Sequence, residues 1–293
     1  MIKLRVAPLA PRITRRSRAP GGGGPTPAPQ RGIRRWAWIG TWMGLVIGLC
    51  LFAPATWLAN AVQSATQGRL QLAEAQGTLW AGSALLVLTG GPGSRDARLL
   101  PGRLNWTLAP LSVLSWRLSL NHEQHLHNPV QIDLLPGLGR LRVEVHHPHE
   151  GIGHWPAAWL AGLGTPWNTL QMGGAVRLDS QNLAFEWAQG RLALQGSLTL
   201  ELRDLSSRLA TLPRLGTYHI QLQGDAAGAG TAQINLSSAE GSPLRLSGSG
   251  SWSASGLRLR GEAAAADEDA PALANLLNII GRREGTRTLL TIG

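Results

Sequence analysis

The chain has 293 residues, a net charge of +10 and a single cysteine, Cys50. Nine of the positive charges fall in residues 1–35, which hold no acid, so the remainder is close to neutral and gives no argument for nucleic-acid binding. No disulfide can form within the chain, and a segment of about 235 residues must rely on a hydrophobic core large enough for one large or two modest domains.

Residues 1–35 include Gly21-Gly22-Gly23-Gly24 and Pro25-Thr26-Pro27-Ala28-Pro29 and have no apolar periodicity. They are predicted to form a disordered basic tail. Residues 36–58, WAWIGTWMGLVIGLCLFAPATWL, carry no charge. As a single helix they would rise ~35 Å, enough to cross a hydrocarbon core of ~30 Å. Trp36, Trp38 and Trp42 at one end and Trp57 at the other suit the two membrane interfaces, and Pro54 is expected to kink or end the helix near the second. The excess of Lys and Arg before this run predicts a cytoplasmic N-terminus and puts 59–293 on the other side of the membrane. A cleaved signal peptide is the alternative, since Ala53-Pro54-Ala55 and Ala59-Asn60-Ala61 both read as A-x-A sites. The length of the apolar run and the 35 residues before it stand against cleavage. Leu49, directly before Cys50, is not the small residue that a lipid-attachment signal requires.

From Leu70 the period changes to two. Leu70 and Leu72 alternate with polar neighbours, as do Leu104, Trp106 and Leu108, and then Trp116, Leu118 and Leu120. Val130–Leu135 and Leu141–Val145 flank the turn Pro136-Gly137-Leu138-Gly139. Trp155, Trp159 and Leu163 lie at i, i+4 and i+8, with Pro156 at the first turn and Gly164 as the stop, which predicts a short helix. Strands resume around Val176, Leu183–Trp187, Leu192–Leu194, Leu198–Leu202, Tyr218–Leu222, Ile234–Leu236, Leu244–Leu246, Trp252 and Leu257–Leu259. Ala270–Ile280 has helical spacing and Gly281 as its stop, and Thr286–Ile292 reads as a last strand. The predicted fold is mainly β. A single transmembrane helix leads into a twisted antiparallel sheet with one apolar face and one or two short helices, spanning 59–293.

Seven histidines, from His122 to His154, raise the possibility of a metal site. His122-Glu123-Gln124-His125 lacks the i, i+4 spacing of H-E-x-x-H, and both clusters sit near turns, so they are expected to face solvent and bind no metal. No G-x-S-x-G elbow or phosphate loop occurs. No catalytic residue, cofactor or metal is assigned. Trp80, Trp106, Trp116, Trp187 and Trp252 fall on predicted strands, where burial in a sheet core is expected, Trp80 at the start of the first long strand.

Several blocks resemble the type II secretion system protein N family. They are Pro54 with Trp57-Leu58, Gly77-Thr78-Leu79-Trp80-Ala81-Gly82-Ser83-Ala84, Leu104-Asn105-Trp106-Thr107-Leu108-Ala109-Pro110, and Trp116-Arg117-Leu118. Pro213-Arg214-Leu215-Gly216-Thr217-Tyr218, Gly248-Ser249-Gly250-Ser251-Trp252 and the C-terminal blocks 276–283 and 290–293 continue it. The resemblance covers about residues 50–293 and implies an inner-membrane protein with a periplasmic domain. It also implies service to the machinery that moves folded proteins across the outer membrane of Gram-negative bacteria. Its partners would be the inner-membrane platform or the outer-membrane channel, together with inner-membrane lipid. No catalytic residues carry over, and the resemblance makes Gly77, Thr78, Leu79, Trp80, Gly82, Trp106, Pro110, Gly216, Tyr218 and Trp252 motif or interface candidates. The long basic tail departs from the family pattern. A different reading of the residues alone is a tethered sheet that carries lipid or lipopolysaccharide between membranes. An open apolar groove would favour that carrier and a side-chain-filled core an assembly module.

Overall fold

The computed structural model describes residues 31–147, 151–224, 230–253 and 256–292. The basic tail lies outside these residues as far as position 30. The one helix expected over 36–58 is two: α1 (Arg31–Leu51) and α2 (Ala55–Ala65). They part at Pro54, which takes an extended conformation (φ −71°, ψ 149°), as a ring without an N–H donor favours. The uncharged part of α1, Trp36–Leu51, rises ~24 Å, short of a ~30 Å hydrocarbon core. No helix among the described residues is long and apolar enough to cross a membrane. The chain divides into two compact units after Leu51, so residues 52–58 belong with the β-rich unit, Phe52–Gly293.

The described residues of that unit form one sheet of sixteen strands, all paired antiparallel. The first strands are β1 (Leu70–Gly77), β2 (Ala81–Thr89), β3 (Ala97–Leu99), β4 (Leu104–Pro110), β5 (Trp116–Asn121), β6 (Val130–Gly137) and β7 (Arg140–His146). Then come β8 (Gly153–Pro156), a 3-10 helix (Ala157–Leu163), α3 (Trp167–Leu170), β9 (Met172–Ala188) and β10 (Arg191–Ser207). The chain closes with β11 (Gly216–Gln223), β12 (Thr231–Ser238), β13 (Leu244–Ser253), β14 (Gly256–Ala265), α4 (Ala270–Ile280), β15 (Arg282–Glu284) and β16 (Arg287–Ile292). The path is a meander in chain order, with β3 beside β2, β8 beside β9, and β15 outside β16.

The alternation in the sequence selects the inner face. Leu118 pairs with Ile132 and Ile132 with Val145. Farther on, Leu178 pairs with Leu200, Leu200 with Ile220 and Ile220 with Leu236. Two helices lie on this face. Ala55, Leu58, Ala59 and Val62 of α2 pack on Leu72, Ala84 and Trp106, and Leu273, Leu276 and Leu277 of α4 pack with Val176, Tyr218, Leu244 and Ala263. Leu183, Leu194 and Ala232 form a third cluster with Phe185, Leu222 and Trp252 around it.

Two expectations change here. The helix expected over 154–163 is strand β8 to Pro156 and 3-10 helix afterwards. Residues 183–187 continue the strand of Val176 in β9, and 192–194 continue into 198–202 in β10, each strand running 17 residues. Asn182 (φ 49°) and Gly196 (φ 81°) sit at a bulge that shifts the alternation by one, keeping Val176 and Phe185 on one face. The 3-10 helix also closes the curl of the first half. Trp159 Nε1 donates to the Arg98 carbonyl at 3.0 Å, and Gly162 lies so close to Leu88 that a Cβ would stand 2.5 Å from its carbonyl oxygen. β9 and β2–β3 therefore meet through this helix, although five strand-to-strand steps separate β9 from β2 along the sheet.

Because strands alternate in direction, turns alternate between two ends of the sheet. At one end lie residues 78–80, 111–115, 138–139 and 189–190, together with the junction at Pro54, which bridges to Thr78. This is the tether end. At the far end lie 122–129, 208–215, 239–243 and the chain leading into α4.

Candidate functional site

The block Gly77–Gly82 is a turn rather than the start of a strand. Gly77 adopts φ 88°, where a Cβ would stand 2.5 Å from the Ala81 carbonyl oxygen. Thr78 and Ala81 close the turn twice, Thr78 N–H donating to the Ala81 carbonyl (2.8 Å) and Ala81 N–H to Thr78 Oγ1 (3.1 Å). The turn is gripped from both sides. Leu79 N–H donates to the Ala53 carbonyl (2.8 Å), and Leu108 N–H donates to the Trp80 carbonyl (2.6 Å).

Trp106 holds this arrangement from below. It is 2 % exposed, and its indole N–H forks between the carbonyls of Thr78 (3.3 Å) and Leu79 (3.2 Å). Its ring occupies the space beside its register partner Gly82, where a Cβ would meet Trp106 Cζ2 at 2.5 Å. A buried indole brings both a large apolar area and a donor that needs a partner, and this turn supplies two. Trp80 itself is half-buried and stacks on Trp116 with ring centroids 5.1 Å apart. Trp106 is buried as expected, whereas Trp80 is only half-buried and Trp187, also expected in the core, is 58 % exposed at the edge of the β7–β9 pairing. Pro110 pairs with Trp116 at the exposed end of β4.

Gly77, Thr78, Leu79, Trp80, Gly82, Trp106 and Pro110 are therefore brought together at the tether end. Gly216 and Tyr218 lie at the far end. The Tyr218 hydroxyl is fully buried between the carbonyls of Leu215 (2.8 Å) and Leu244 (2.9 Å), and burial pushes the phenol well above its ordinary pKa, so it stays a donor. Gly216 (φ 137°) lets Ser242 sit where its own side chain would be, and Ser242 Oγ accepts from Thr217 N–H at 3.3 Å. Trp252 is elsewhere again, half-buried on β13 opposite Ala232. The candidates form two locks and one core residue, with no common pocket.

The sequence reading missed Ala53 and Ala55, which are almost fully buried at the tether end. Their small side chains resembled a cleavage site, but here they allow close packing of the chain against the turn. The histidines are also a correction, because His122 and His125 do not face solvent. They are 2 % and 9 % exposed, with ring centroids 4.8 Å apart, and His125 Nδ1 lies 3.0 Å from the His154 carbonyl. Burial pushes both imidazoles below their ordinary pKa, and the Nε2 atom of each is buried without a hydrogen-bond partner. Among the described residues no group of three or more His, Cys, Asp or Glu is arranged to hold a metal.

A polar cleft of about 570 Å³ opens where β9 leaves β7, lined by Arg142, Glu144, His146, His147, Asp179 and Ser180 among others. Its charges are paired locally. His146 Nε2 lies 3.3 Å from Asp133, which also takes a two-pronged pair from Arg117 at 2.7 and 2.8 Å. The hydrogen bond from Arg117 holds the Asp133 carboxyl below its ordinary range. In the cleft His147 Nε2 lies 2.7 Å from the Ser180 carbonyl, and Ser180 Oγ is buried without a hydrogen-bond partner.

A profile of the family described as type II secretion system (T2SS), protein N, matches residues 68–289. Neither a curated protein nor a solved structure matches the chain. The matched range contains the Gly77–Gly82 turn, Trp106, Gly216, Tyr218 and Trp252, and it begins after α2.

Proposed function

Because the chain belongs to the type II secretion system protein N family, we propose that it is a non-enzymatic inner-membrane component of the machinery that exports folded proteins across the outer membrane. The family is one of secretion-machinery components, which supports a part in type II protein secretion. In this reading the tail is cytoplasmic, the apolar run from Trp36 is the anchor, and the sheet stands in the periplasm against the inner-membrane platform or the outer-membrane channel. The uncharged run continues through Phe52, one residue past α1.

One observation carries this reading: the residues that follow the apolar helix are built into the folded unit. Ala53 accepts the Leu79 N–H, and Ala55 is buried against Leu72 and Trp106. A chain cleaved after Ala55 would lose the first contact, which supports a retained anchor. The filling of the inner face by α2 and α4, and the polar lining of the 570 Å³ cleft, favour an assembly module over a lipid carrier.

A reporter that works only in the periplasm is expected to be active when fused after Gly82. Crosslinking in native membranes is expected to capture a platform or channel component. Mature chains beginning at Thr56 or Val62 would contradict the anchor, and crosslinks that exclude every secretion component would contradict the assignment.

A further inference from the structure

Hairpin tips in an antiparallel meander ordinarily carry Gly, Asn, Asp, Pro or Ser, because water surrounds them and their backbones turn sharply. Two tips at the tether end depart from this, and an exposed tryptophan stands beside a third. The β4–β5 tip is Leu111-Ser112-Val113-Leu114-Ser115, with Val113 94 % exposed and Leu114 also exposed. The β6–β7 tip is centred on Leu138, which is fully exposed. Trp187 stands exposed one residue before the end of β9, paired with the exposed Leu141 of β7. The strand directions bring these tips to the same end as the Pro54–Thr78 bridge, where exposed Phe52 and Trp57 flank the junction. The far end exposes Leu99, Trp167 and Ile279, on three different elements and at no hairpin tip.

We infer that the tether end is a membrane-docking rim, whose apolar tips enter the interfacial layer of the bilayer that holds the apolar N-terminal helix. Two observations select a lipid surface over a protein groove. The first is connectivity: the uncharged run ends at Phe52 and Ala53, and Ala53 is hydrogen-bonded to Leu79 at this rim, so the tips lie at the end from which the anchor departs. The second is charge. The tips 111–115 and 138–139 contain no acid, while Arg140 and Arg191 stand exposed near them, the placement that anionic headgroups favour. Trp57 and Trp187 are amphipathic and suit the headgroup level. The rim would hold the sheet upright, with the far end and its α4 directed away from the bilayer.

This inference rests on the reading of the apolar run as an anchor, and the test separates the two. The full-length chain is reconstituted into vesicles of phosphatidylethanolamine and phosphatidylglycerol. An environment-sensitive fluorophore is attached at native Cys50 or, in a Cys50→Ser background, at Val113→Cys, Leu138→Cys or the far-end control Glu240→Cys. Lipids with nitroxides at shallow depth are expected to quench the labels at 113 and 138 and shift their emission to the blue, leaving the label at 240 unchanged. Quenching at Cys50 but not at 113 or 138 would overturn the rim and leave the anchor. Quenching at 113 and 138 but not at Cys50 would keep the rim and overturn the anchor. Quenching nowhere would overturn both. Protection at 113 and 138 only in native membranes that contain the secretion machinery would assign the rim to a protein partner and overturn the lipid reading.

Discussion

The two ends of the sheet are locked by the same device made from different residues. At the tether end an indole, Trp106, ties the carbonyls of Thr78 and Leu79, with Gly82 cleared to admit its ring. At the far end a phenol, Tyr218, lies between the carbonyls of Leu215 and Leu244, with Gly216 cleared to admit Ser242. In each case a buried aromatic supplies packing and a donor, and a glycine supplies room. The surroundings differ. The Tyr218 lock sits in the largest apolar cluster, under α4, whereas the Trp106 lock sits in a smaller cluster formed with α2 and is joined directly to the chain leaving the apolar helix. Most of the core is therefore supported away from the tether, and the tether is held by few groups.

The largest effect is expected from Trp106→Ala, at about 3–5 kcal/mol for a buried aromatic truncated in a core. Chemical denaturation should show the lower midpoint, and abundance and secretion should fall together in cells. Tyr218→Phe keeps the ring and removes a buried donor shared by the carbonyls of Leu215, which keeps the Leu244 N–H, and Leu244, so a loss of about 1–3 kcal/mol is expected. A neutral result there would reduce the far-end lock to packing alone. Trp80→Ala is expected to be milder, about 1 kcal/mol, because Trp80 is half-buried and loses chiefly its stacking on Trp116. Near-normal stability with secretion lost would make Trp80 a contact residue at the tether end, and a loss as large as that of Trp106→Ala would make it part of the lock.

The most gradual effect concerns pH. His122 and His125 are held below their ordinary pKa chiefly by burial, so they are neutral when folded and protonate more easily when unfolded. The stability they contribute is complete above the unfolded value near pH 6.5 and is lost as pH falls through the folded values. Thermal melts at pH 7.5 and pH 5 should differ, and His122→Phe with His125→Leu should narrow the difference. An equal or larger difference in that variant would assign it to other groups.

Much of the sheet was legible because each strand buries one face, which a period of two reports directly. Leu104-Asn105-Trp106-Thr107-Leu108 became β4 and Tyr218–Leu222 lies within β11 for that reason. Where a bulge intervenes the same signal misleads. The extra residue at Asn182 reverses the alternation in β9, and Gly196 opposite it interrupts the apolar run of β10, so two 17-residue strands read as four. The apolar run 36–58 read as one helix because hydropathy carries no geometry, whereas Pro54 and the burial of Ala53 and Ala55 divide it. At the tether end the motif residues were legible, but the division of labour was not. Trp80 and Trp106 both read as buried strand residues, but Trp80 falls in the β1–β2 turn, and the register puts Trp106 opposite Gly82, where there is room for its ring. The histidines failed similarly: their turn-rich setting suggested solvent, while the Leu126–Gly153 bridge folds His125 beneath His154.

The central claim, that Trp106 fastens the tether to the sheet independently of the far-end lock, is tested most directly by hydrogen exchange of two amides in the full-length chain. Leu79 N–H donates to Ala53 and Leu244 N–H to Leu215, at 2.8 and 3.0 Å. In the wild type both are expected to exchange slowly. In Trp106→Ala the Leu79 amide should become fast while Leu244 keeps its protection. A Leu79 amide that exchanges freely in the wild type, or equal loss at both sites in the variant, would contradict the claim.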